Sequence, residues 1–265
     1  MVDIHSHLLF GVDDGAQSIG ESLELIEQGI ELGYTDIVLT SHWGKYEEYQ
    51  HKKYEKNFKM LQRAVQKKGW KIELHRGNEL YMDENFLKRM ETYEYNFIGE
   101  SGYLLVEFNP LVLGITAQIQ IEELIKRGIV PVIAHVERYV NLKKGDYIKL
   151  KKLGALFQVN IRSVRREKRL FGELIKNRLI DVLATDCHRL GKRDYDLGKY
   201  LLEIEELVGG DEFKRLTEIN PKLILEGKKL KEGATDGEKK MARNSIFVDM
   251  VNSIFSGIGF SRDTK

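Results

Sequence analysis

The chain has 265 residues and a mass of 30.7 kDa, a size that suits one large domain such as an α/β barrel of about 250 residues. Hydrophobic residues make up 42% and charged residues 31% of the chain, which allows a buried core and excludes a disordered protein. The 42 Lys and Arg residues balance 41 Asp and Glu residues, which excludes a strongly basic nucleic-acid-binding protein, and the single cysteine, Cys187, excludes an intramolecular disulfide or a multi-cysteine metal site.

The N-terminus is a short apolar run that leads directly into His5-Ser6-His7. No Lys or Arg precedes Lys45, whereas a secretory signal begins with basic residues. No apolar run in the sequence approaches the ~20 residues that span a bilayer. Together with the single cysteine, which is typical of a reducing compartment, these features predict a cytoplasmic protein without a transmembrane segment.

Amphipathic stretches alternate with short apolar runs along the chain. Helices are predicted over Glu21–Leu32, Tyr54–Val65, Ile119–Arg127 and Tyr147–Leu153, followed by Gly33, Gly69, Gly128 and Gly154. A glycine at these positions is typical of a left-handed helix cap. Helices that alternate with short apolar strands predict βαβ units and a parallel sheet.

Seven strands are predicted from the apolar runs. They are Val2–Ile4, Asp36–Ser41, Ile72–Arg76, Tyr103–Phe108, Val130–Ala134, Ala155–Asn160 and Ile180–Thr185. The runs lack a clean alternation, as expected of strands that are buried on both faces. Seven such strands predict an α/β barrel one strand short of the usual eight, and an open doubly wound sheet is the alternative.

The last residues differ in character from the rest. Residues 231–244 are polar and predict a linker, and a helical apolar stripe follows, formed by Ile246, Phe247, Met250, Val251, Ile254, Phe255 and Ile258. We therefore predict a barrel over residues 1–230 and a linker with a short amphipathic helix over 231–265. The helix is expected to pack on the barrel or on a second copy in a homo-oligomer, because its polar face lacks the Lys and Arg of a membrane-surface helix.

Histidines and carboxylates gather where the predicted strands end, or in the loop after the first strand. They are His5, His7, Asp14, His42, Glu79, Glu107, His135, Asp186 and His188. The C-terminal ends of parallel barrel strands face one mouth, where such barrels carry out chemistry. Imidazole and carboxylate ligands without thiolate suit manganese, iron or zinc. Nine candidate ligands exceed the six of an octahedral ion, so two or three divalent ions are predicted, with a carboxylate such as Glu79 bridging two of them.

Charge balance points to a phosphate substrate. Three divalent ions outweigh the negative charge of the four candidate carboxylates, and the remaining positive charge suits a phosphate dianion. Neighbouring metals generate a hydroxide and hold the attacking and leaving oxygens of an in-line displacement.

The set His5-x-His7, Asp14-Gly15, Ser41-His42 and Asp186-x-His188, with Glu79, Glu107 and His135, resembles the polymerase-and-histidinol-phosphatase (PHP) family of trinuclear metal phosphoesterases. The segments DIHSHLLFGVDDG, PVIAHVERY and INPKLIL are similar to the bacterial capsule-type protein tyrosine phosphatases of that family, over about residues 1–230. The resemblance implies a distorted seven-stranded (β/α) barrel, manganese-dependent activity, and attack by a metal-bridging hydroxide. It implies as substrate the phosphotyrosines of a tyrosine kinase that governs the export of capsular or extracellular polysaccharide.

The resemblance also implies a role for each site residue. One ion is held by His5, His7, Glu79 and Asp186, a second by Glu79, Glu107 and His135, and a third by Asp14, His42 and His188, with Asp13 as the alternative to Asp14. Arg138 and Arg193 match the two catalytic arginines that bind phosphate. The resemblance implies nothing about the chain after residue 230.

Three other interpretations are open from the sequence. Cys187 and Arg193 match the Cys-x5-Arg pattern of thiol-based tyrosine phosphatases, although neighbouring Asp186 and His188 are better explained as metal ligands. A small-molecule phosphatase, such as a histidinol-phosphate phosphatase, would use the same metals with a different pocket. A regulatory domain without catalysis would be expected to lack some ligands, and none of the nine is missing.

Overall fold

The computed structural model describes residues 1–45 and 50–230 of the chain. Seven strands follow one another around a parallel sheet in the order of the sequence: β1 (Val2–Ser6), β2 (Asp36–Trp43), β3 (Glu73–Met82), β4 (Tyr103–Phe108), β5 (Val130–Ile133), β6 (Leu156–Asn160) and β7 (Val182–Ala184). An isolated bridge between Ser6 and Cys187 joins the region after β7 to β1, so the sheet is a nearly closed barrel. The prediction of a seven-stranded α/β barrel is confirmed, and the open doubly wound sheet is wrong.

Helices cover the outside of the barrel. They are α1 (Ile19–Glu31), α2 (His51–Lys68), α3 (Phe86–Thr92), α4 (Gly114–Lys126), α5 (Lys144–Leu153), α6 (Lys168–Lys176), α7 (Gly198–Val208), α8 (Gly210–Lys214) and α9 (Asn220–Leu225). The four predicted helices correspond to α1, α2, α4 and α5. The glycines after them adopt φ angles of +70° to +103°, which confirms the left-handed caps.

Strand β3 extends further than predicted. It runs through Gly77, Asn78 and Glu79, which were expected to follow the strand. A side chain at Gly77 would place its Cβ 2.6 Å from Val38 Cγ1, so the glycine allows β3 to pack closely beside β2. The parallel ladder therefore continues until Glu79 stands opposite His42, which aligns two candidate ligands.

Two apolar layers form the core. The larger layer lies between the sheet and the helices, and the smaller one takes branched side chains such as Val38, Leu105 and Val132 from several strands and fills the barrel. Ile224 and Leu225 of α9 belong to the smaller layer, so α9 covers the end where the strands begin. Within residues 1–45 and 50–230, no helix is both long and apolar enough to cross a membrane. The linker and amphipathic helix expected over 231–265 lie outside the described residues.

The barrel closes between β1 and the end of β7 through few backbone hydrogen bonds. The amide of Asp186 donates to the carbonyl of His5 at 2.9 Å, and the amide of His7 donates to the carbonyl of Cys187 at 2.7 Å. The fully buried carboxylate of Asp3 supplements them. It accepts hydrogen bonds from the Thr185 hydroxyl at 2.6 Å and from the Tyr195 hydroxyl at 2.8 Å.

We expect Asp3→Ala to lower the free energy of unfolding by about 3 kcal/mol, because it leaves two buried hydroxyl groups without their acceptor. Urea denaturation of the metal-free protein measures the change. Glu73→Ala removes an exposed carboxylate from the start of β3 and serves as the control, with little expected change. Equal midpoints for Asp3→Ala and the unaltered protein would show that the carboxylate does not hold the barrel closed.

Candidate metal centre

The nine predicted ligands meet at the mouth formed by the C-terminal ends of the strands. Their donor atoms form four overlapping groups, each with all of its atoms within 4.8 Å of one another. The groups are His5, His7 and Asp186; His5, Glu79 and His135; His42, Glu79 and Glu107; and His7, Asp14, His42 and His188. Glu79 and three histidines each belong to two groups, so the arrangement is one continuous cluster of ligands.

Three of the histidines present the same ring nitrogen to the centre. Nδ1 of His188 lies 2.9 Å from the carbonyl oxygen of Asp186, and Nδ1 of His5 lies 3.0 Å from Oε1 of Gln158. Nδ1 of His7 lies 2.8 Å from a carboxylate oxygen of Asp13. Each of these oxygens accepts a hydrogen bond, so Nδ1 carries a hydrogen and Nε2 is the ring nitrogen left to bind a metal. Outer partners of this kind orient histidines that bind metals.

The Nε2 atoms of His5 and His7 lie close to each other and to two carboxylates. Nε2 of His5 and Nε2 of His7 are 3.3 Å apart, and each lies 3.4 Å from an oxygen of Glu79. Oδ1 of Asp186 lies 3.5 Å from the first and 3.6 Å from the second. Two ring nitrogens at this distance need a proton or a metal cation between them, because their lone pairs otherwise repel each other. The buried donor set therefore suits a divalent ion.

Glu79 and Glu107 continue the cluster toward β4 and β5. Nε2 of His135 lies 2.9 Å from Glu79 Oε1 and 3.6 Å from Glu107 Oε1. Lys45, which the sequence did not single out, forms an ion pair with Glu107 at 2.8 Å. This pair partly balances the negative charge of the two glutamates.

Asp13 and Asp14, the two alternatives that the sequence offered as a ligand, occupy different positions in the structure. Asp14 faces the centre, with Oδ1 3.4 Å from His42 Nε2 and 3.6 Å from His188 Nε2. The latter nitrogen is buried and makes no hydrogen bond. Asp13 lies behind the ligands, where it accepts hydrogen bonds from His7 Nδ1 and from the His42 amide at 2.9 Å. Asp14 is thus the candidate ligand and Asp13 orients two others.

The backbone at the centre is held in uncommon conformations. Among the described residues, only three other than glycine have a positive φ, and two of them are His135 at +33° and Asp186 at +53°. Such strain is concentrated at functional sites. Gly15 is equally constrained, since a Cβ there would lie 1.9 Å from the carbonyl oxygen of His7. This close approach brings the Asp13-Asp14 loop against β1.

The carboxylates create a strong negative field. Burial alone would lower the pKa of His5, but Glu79 and Asp186 raise it to about 9. Burial likewise opposes the charged form of His42, yet Glu79 and Asp14 raise the pKa of that ring to about 10. At His188, burial and the neighbouring His7 lower the pKa to about 3, so this ring stays neutral. The centre therefore attracts cations while keeping a neutral nitrogen donor.

Strand β6 contributes residues that the sequence analysis missed. The Oε1 atom of Gln158 accepts from His5 Nδ1 and from the His135 amide, and its Nε2 donates to Asn160 at 2.7 Å. Asn160 in turn donates to Asp186 Oδ2 at 2.8 Å. The sequence contains a signal for these two residues, because the amide side chains of Gln158 and Asn160 alternate with apolar residues at the end of the strand.

The two predicted phosphate-binding arginines lie beside the centre. Arg138 donates to Oδ2 of Asp186, and Arg193 donates to the same oxygen at 3.1 Å. Burial would raise the pKa of Asp186, but His5 and Arg138 hold it well below its usual range. Both guanidinium groups also line a cavity that opens next to Asp186. The structure thus brings positive charge to the position where a phosphoryl group would meet the cluster.

Cys187 does not have the properties of a nucleophile. Its side chain is 1% exposed and belongs to the apolar core between barrel and helices. Burial and the nearby Asp3 raise the pKa of its thiol well above the usual value. The alternative of a thiol-based phosphatase is therefore wrong, since that chemistry needs an accessible thiolate.

The chain is similar to known proteins over most of its length. The family described as capsular polysaccharide synthesis, CpsB/CapC, matches residues 1–226. The tyrosine-protein phosphatase CpsB of Streptococcus pneumoniae is 30% identical over 239 residues, covering 85% of this chain and 98% of the relative. The putative tyrosine-protein phosphatase CapC of Staphylococcus aureus is 29% identical over 213 residues, covering 74% of this chain and 80% of the relative.

A solved structure shares the fold. It is one of the crystal structures of YwqE from Bacillus subtilis and CpsB from Streptococcus pneumoniae, which are described as unique metal-dependent tyrosine phosphatases. It matches with a TM-score of 0.79 at 22% identity and covers 88% of this chain and 97% of its own.

We expect Asp13→Ala to weaken the binding of Mn²⁺ about 10- to 100-fold, because His7 and the His42 backbone lose a shared partner. Isothermal titration of the metal-free protein measures the affinity. Asp13→Asn keeps an oxygen that accepts from His7 and is expected to lose less, and Asp211→Ala, on the exposed surface of α8, is the control. Unchanged affinity in Asp13→Ala would show that Asp13 does not support the ligands.

Proposed function

Since the chain belongs to the CpsB/CapC family of capsular polysaccharide synthesis, we propose that it is a metal-dependent phosphatase that hydrolyses phosphotyrosine on a protein. The observation that supports this most directly is the convergence of buried histidine nitrogens and carboxylates next to two arginines. The protein substrate we propose is a tyrosine kinase that regulates the synthesis or export of polysaccharide. That partnership would place the enzyme in the cytoplasm.

The cluster would hold two or three divalent ions, which we propose to be Mn²⁺. One set is His5, His7, Glu79 and Asp186; a second is Glu79, Glu107 and His135; and a third is Asp14, His42 and His188. When bound, such ions lower the pKa of water to form a nucleophile at neutral pH and offset charge on phosphoryl oxygens. The carboxylate of Glu79 lies within 3.4 Å of one histidine from each set, and the first two sets would share it.

The protein's own contribution is to bind and orient the phosphoryl group. Arg138 and Arg193 both reach Asp186 Oδ2, so their remaining N–H groups can hold two phosphoryl oxygens beside the ligands. Their positive charge stabilises the transition state as negative charge develops on those oxygens. The tyrosine leaving group has a pKa of about 10 and departs without a strong acid from the protein.

Removal of metal tests the proposal. We expect a chelator to abolish hydrolysis of a phosphotyrosine peptide, added Mn²⁺ to restore it, and elemental analysis to find more than one ion per chain. The peptide is to be compared with histidinol phosphate, which we expect to be the poorer substrate. Full activity after verified removal of metal would refute the metal mechanism, and a preference for histidinol phosphate would refute the proposed substrate.

Cys187→Ala provides the matched control for this experiment. Because the thiol is buried away from the cavity, we expect the variant to keep most of its activity and its full metal content.

We expect Arg193→Ala to lower kcat/KM for a phosphotyrosine peptide about 10²- to 10³-fold, because one donor to the phosphoryl oxygens is lost. Its metal content should stay normal, since Arg193 contacts a ligand and is not one. Arg189→Ala, four residues earlier in the same loop and paired with Glu21, is the control. Unchanged kinetics in Arg193→Ala would remove this residue from the site.

A further inference from the structure

A cavity of about 440 Å³ adjoins the proposed catalytic centre and is lined by more arginines than one phosphoryl group requires. Arg138 and Arg193 contact Asp186, which among the residues that the structure describes is the one carboxylate lining the cavity. Arg162, Arg165 and Arg166 also line the cavity and belong to the segment that follows β6. We call these three residues the arginine wall. Five guanidinium groups facing one carboxylate give the cavity a positive charge.

Two of the three arginines in the wall, Arg162 and Arg165, are held in place by other side chains. Arg162 donates to the carboxylate of Asp194 at 2.6 Å, and Arg165 donates through Nε to Glu203 at 2.6 Å. Neither of these carboxylates lines the cavity. The ring of Tyr200 lies 5.6 Å from the Arg162 guanidinium and 4.6 Å from that of Arg165, and so supports both.

This arrangement leaves donors available to a ligand. Arg162 uses only Nη2 in the hydrogen bonds that the structure gives it, and Arg165 uses Nε and Nη2. A guanidinium has five N–H donors, so several remain. The side chain of Arg166 is 72% exposed and forms only a surface pair with the adjacent Glu167. Fixed guanidinium groups lose little entropy when they bind a carboxylate or phosphate.

We propose that the arginine wall binds a second anionic group of the substrate, so that the enzyme selects phosphotyrosines flanked by acidic residues. This inference rests on the proposed phosphatase function and names the class of peptide that the site prefers. Arg138 and Arg193, which contact Asp186, serve the reacting phosphoryl group, whereas the arginines of the wall contact other carboxylates and are free to serve a second group. A substrate with a positive amine beside its phosphate is disfavoured by the same charges.

The test compares peptides that differ only in charge. One phosphotyrosine peptide carries flanking Gln residues, a second carries Glu at the same positions, and a third carries phosphoserine, which distinguishes carboxylate from phosphate as the bound group. We expect kcat/KM for the Glu peptide to exceed that for the Gln peptide about tenfold, mainly through KM, and the ratio to fall at high salt. The same peptides with a non-hydrolysable phosphotyrosine analogue give dissociation constants by fluorescence anisotropy.

Substitutions in the arginine wall test whether it causes the preference for the Glu peptide. Arg166→Glu and Arg165→Gln are expected to reduce the Glu-to-Gln ratio toward one. Arg166→Glu changes an exposed side chain, so its folding is not at risk even if loss of the Glu203 partner destabilises Arg165→Gln. Arg169→Gln makes the same change of one charge as Arg165→Gln, at a side chain that is 94% exposed and lies outside the cavity, and should keep the ratio of the unaltered protein.

The outcomes separate this inference from the proposed function. Efficient hydrolysis of both peptides with a ratio near one would overturn the role of the arginine wall and leave the phosphatase function intact. No hydrolysis of any peptide with Mn²⁺ would refute the phosphatase function, and equal dissociation constants for the two analogue peptides would then refute the wall as well. A ratio that falls equally in Arg169→Gln would assign the effect to overall charge and also overturn the inference.

Discussion

The closure of the barrel between its first and last strands is the constraint on which the centre depends. The two backbone hydrogen bonds that close it join His5 to Asp186 and His7 to Cys187, so they are made by the candidate ligands and a direct neighbour. Any loosening of this seam would separate the histidines from Asp186. The buried carboxylate of Asp3, which accepts from Thr185 and Tyr195, therefore supports the metal centre as well as the fold. One additional residue in β1 relative to β2 lies between Asp3 and Ser6, and a bulge of this kind re-aims the side chain of His5.

The metal centre beside this seam holds buried carboxylates, whose charged form burial disfavours unless positive charge lies next to them. Glu79 and Asp186 are buried among imidazole rings, and against the effect of burial neighbouring positive charge holds the pKa of each well below its usual value. Metal binding and stability are consequently linked, because an ion that binds the folded centre and not the unfolded chain shifts the equilibrium toward folding. The positive φ angles of His135 and Asp186 also cost folding free energy at this centre.

The sequence predicts those features of the structure that follow from the topology of the barrel. It does not predict features that depend on contacts between residues far apart in the chain. Ligands at strand ends were predictable, because the topology of a parallel barrel brings them together whatever the details of packing. The extension of β3 was not, since it depends on the contact of Gly77 with Val38 across the sheet. The roles of Asp13 and Asp14 also depend on the fold, because neighbouring carboxylates look alike until a turn directs one of them behind His7. The ligands themselves remain predictions, while their convergence is a feature of the structure.

Strand β6 shows why a strand without a ligand is nonetheless part of the site. Gln158 and Asn160 link His5, the His135 backbone and Asp186 in one hydrogen-bonded chain, which fixes ligands from three other strands. The chain then turns through Ile161–Ser163 and carries the arginine wall into the cavity. Orientation of these ligands and the charge of the arginine wall therefore come from one continuous segment. If this segment shifted, the amide side chains of Gln158 and Asn160 would no longer orient the ligands, and the arginine wall would no longer face a bound peptide in the same way. Metal binding and peptide binding are therefore expected to depend together on the position of β6.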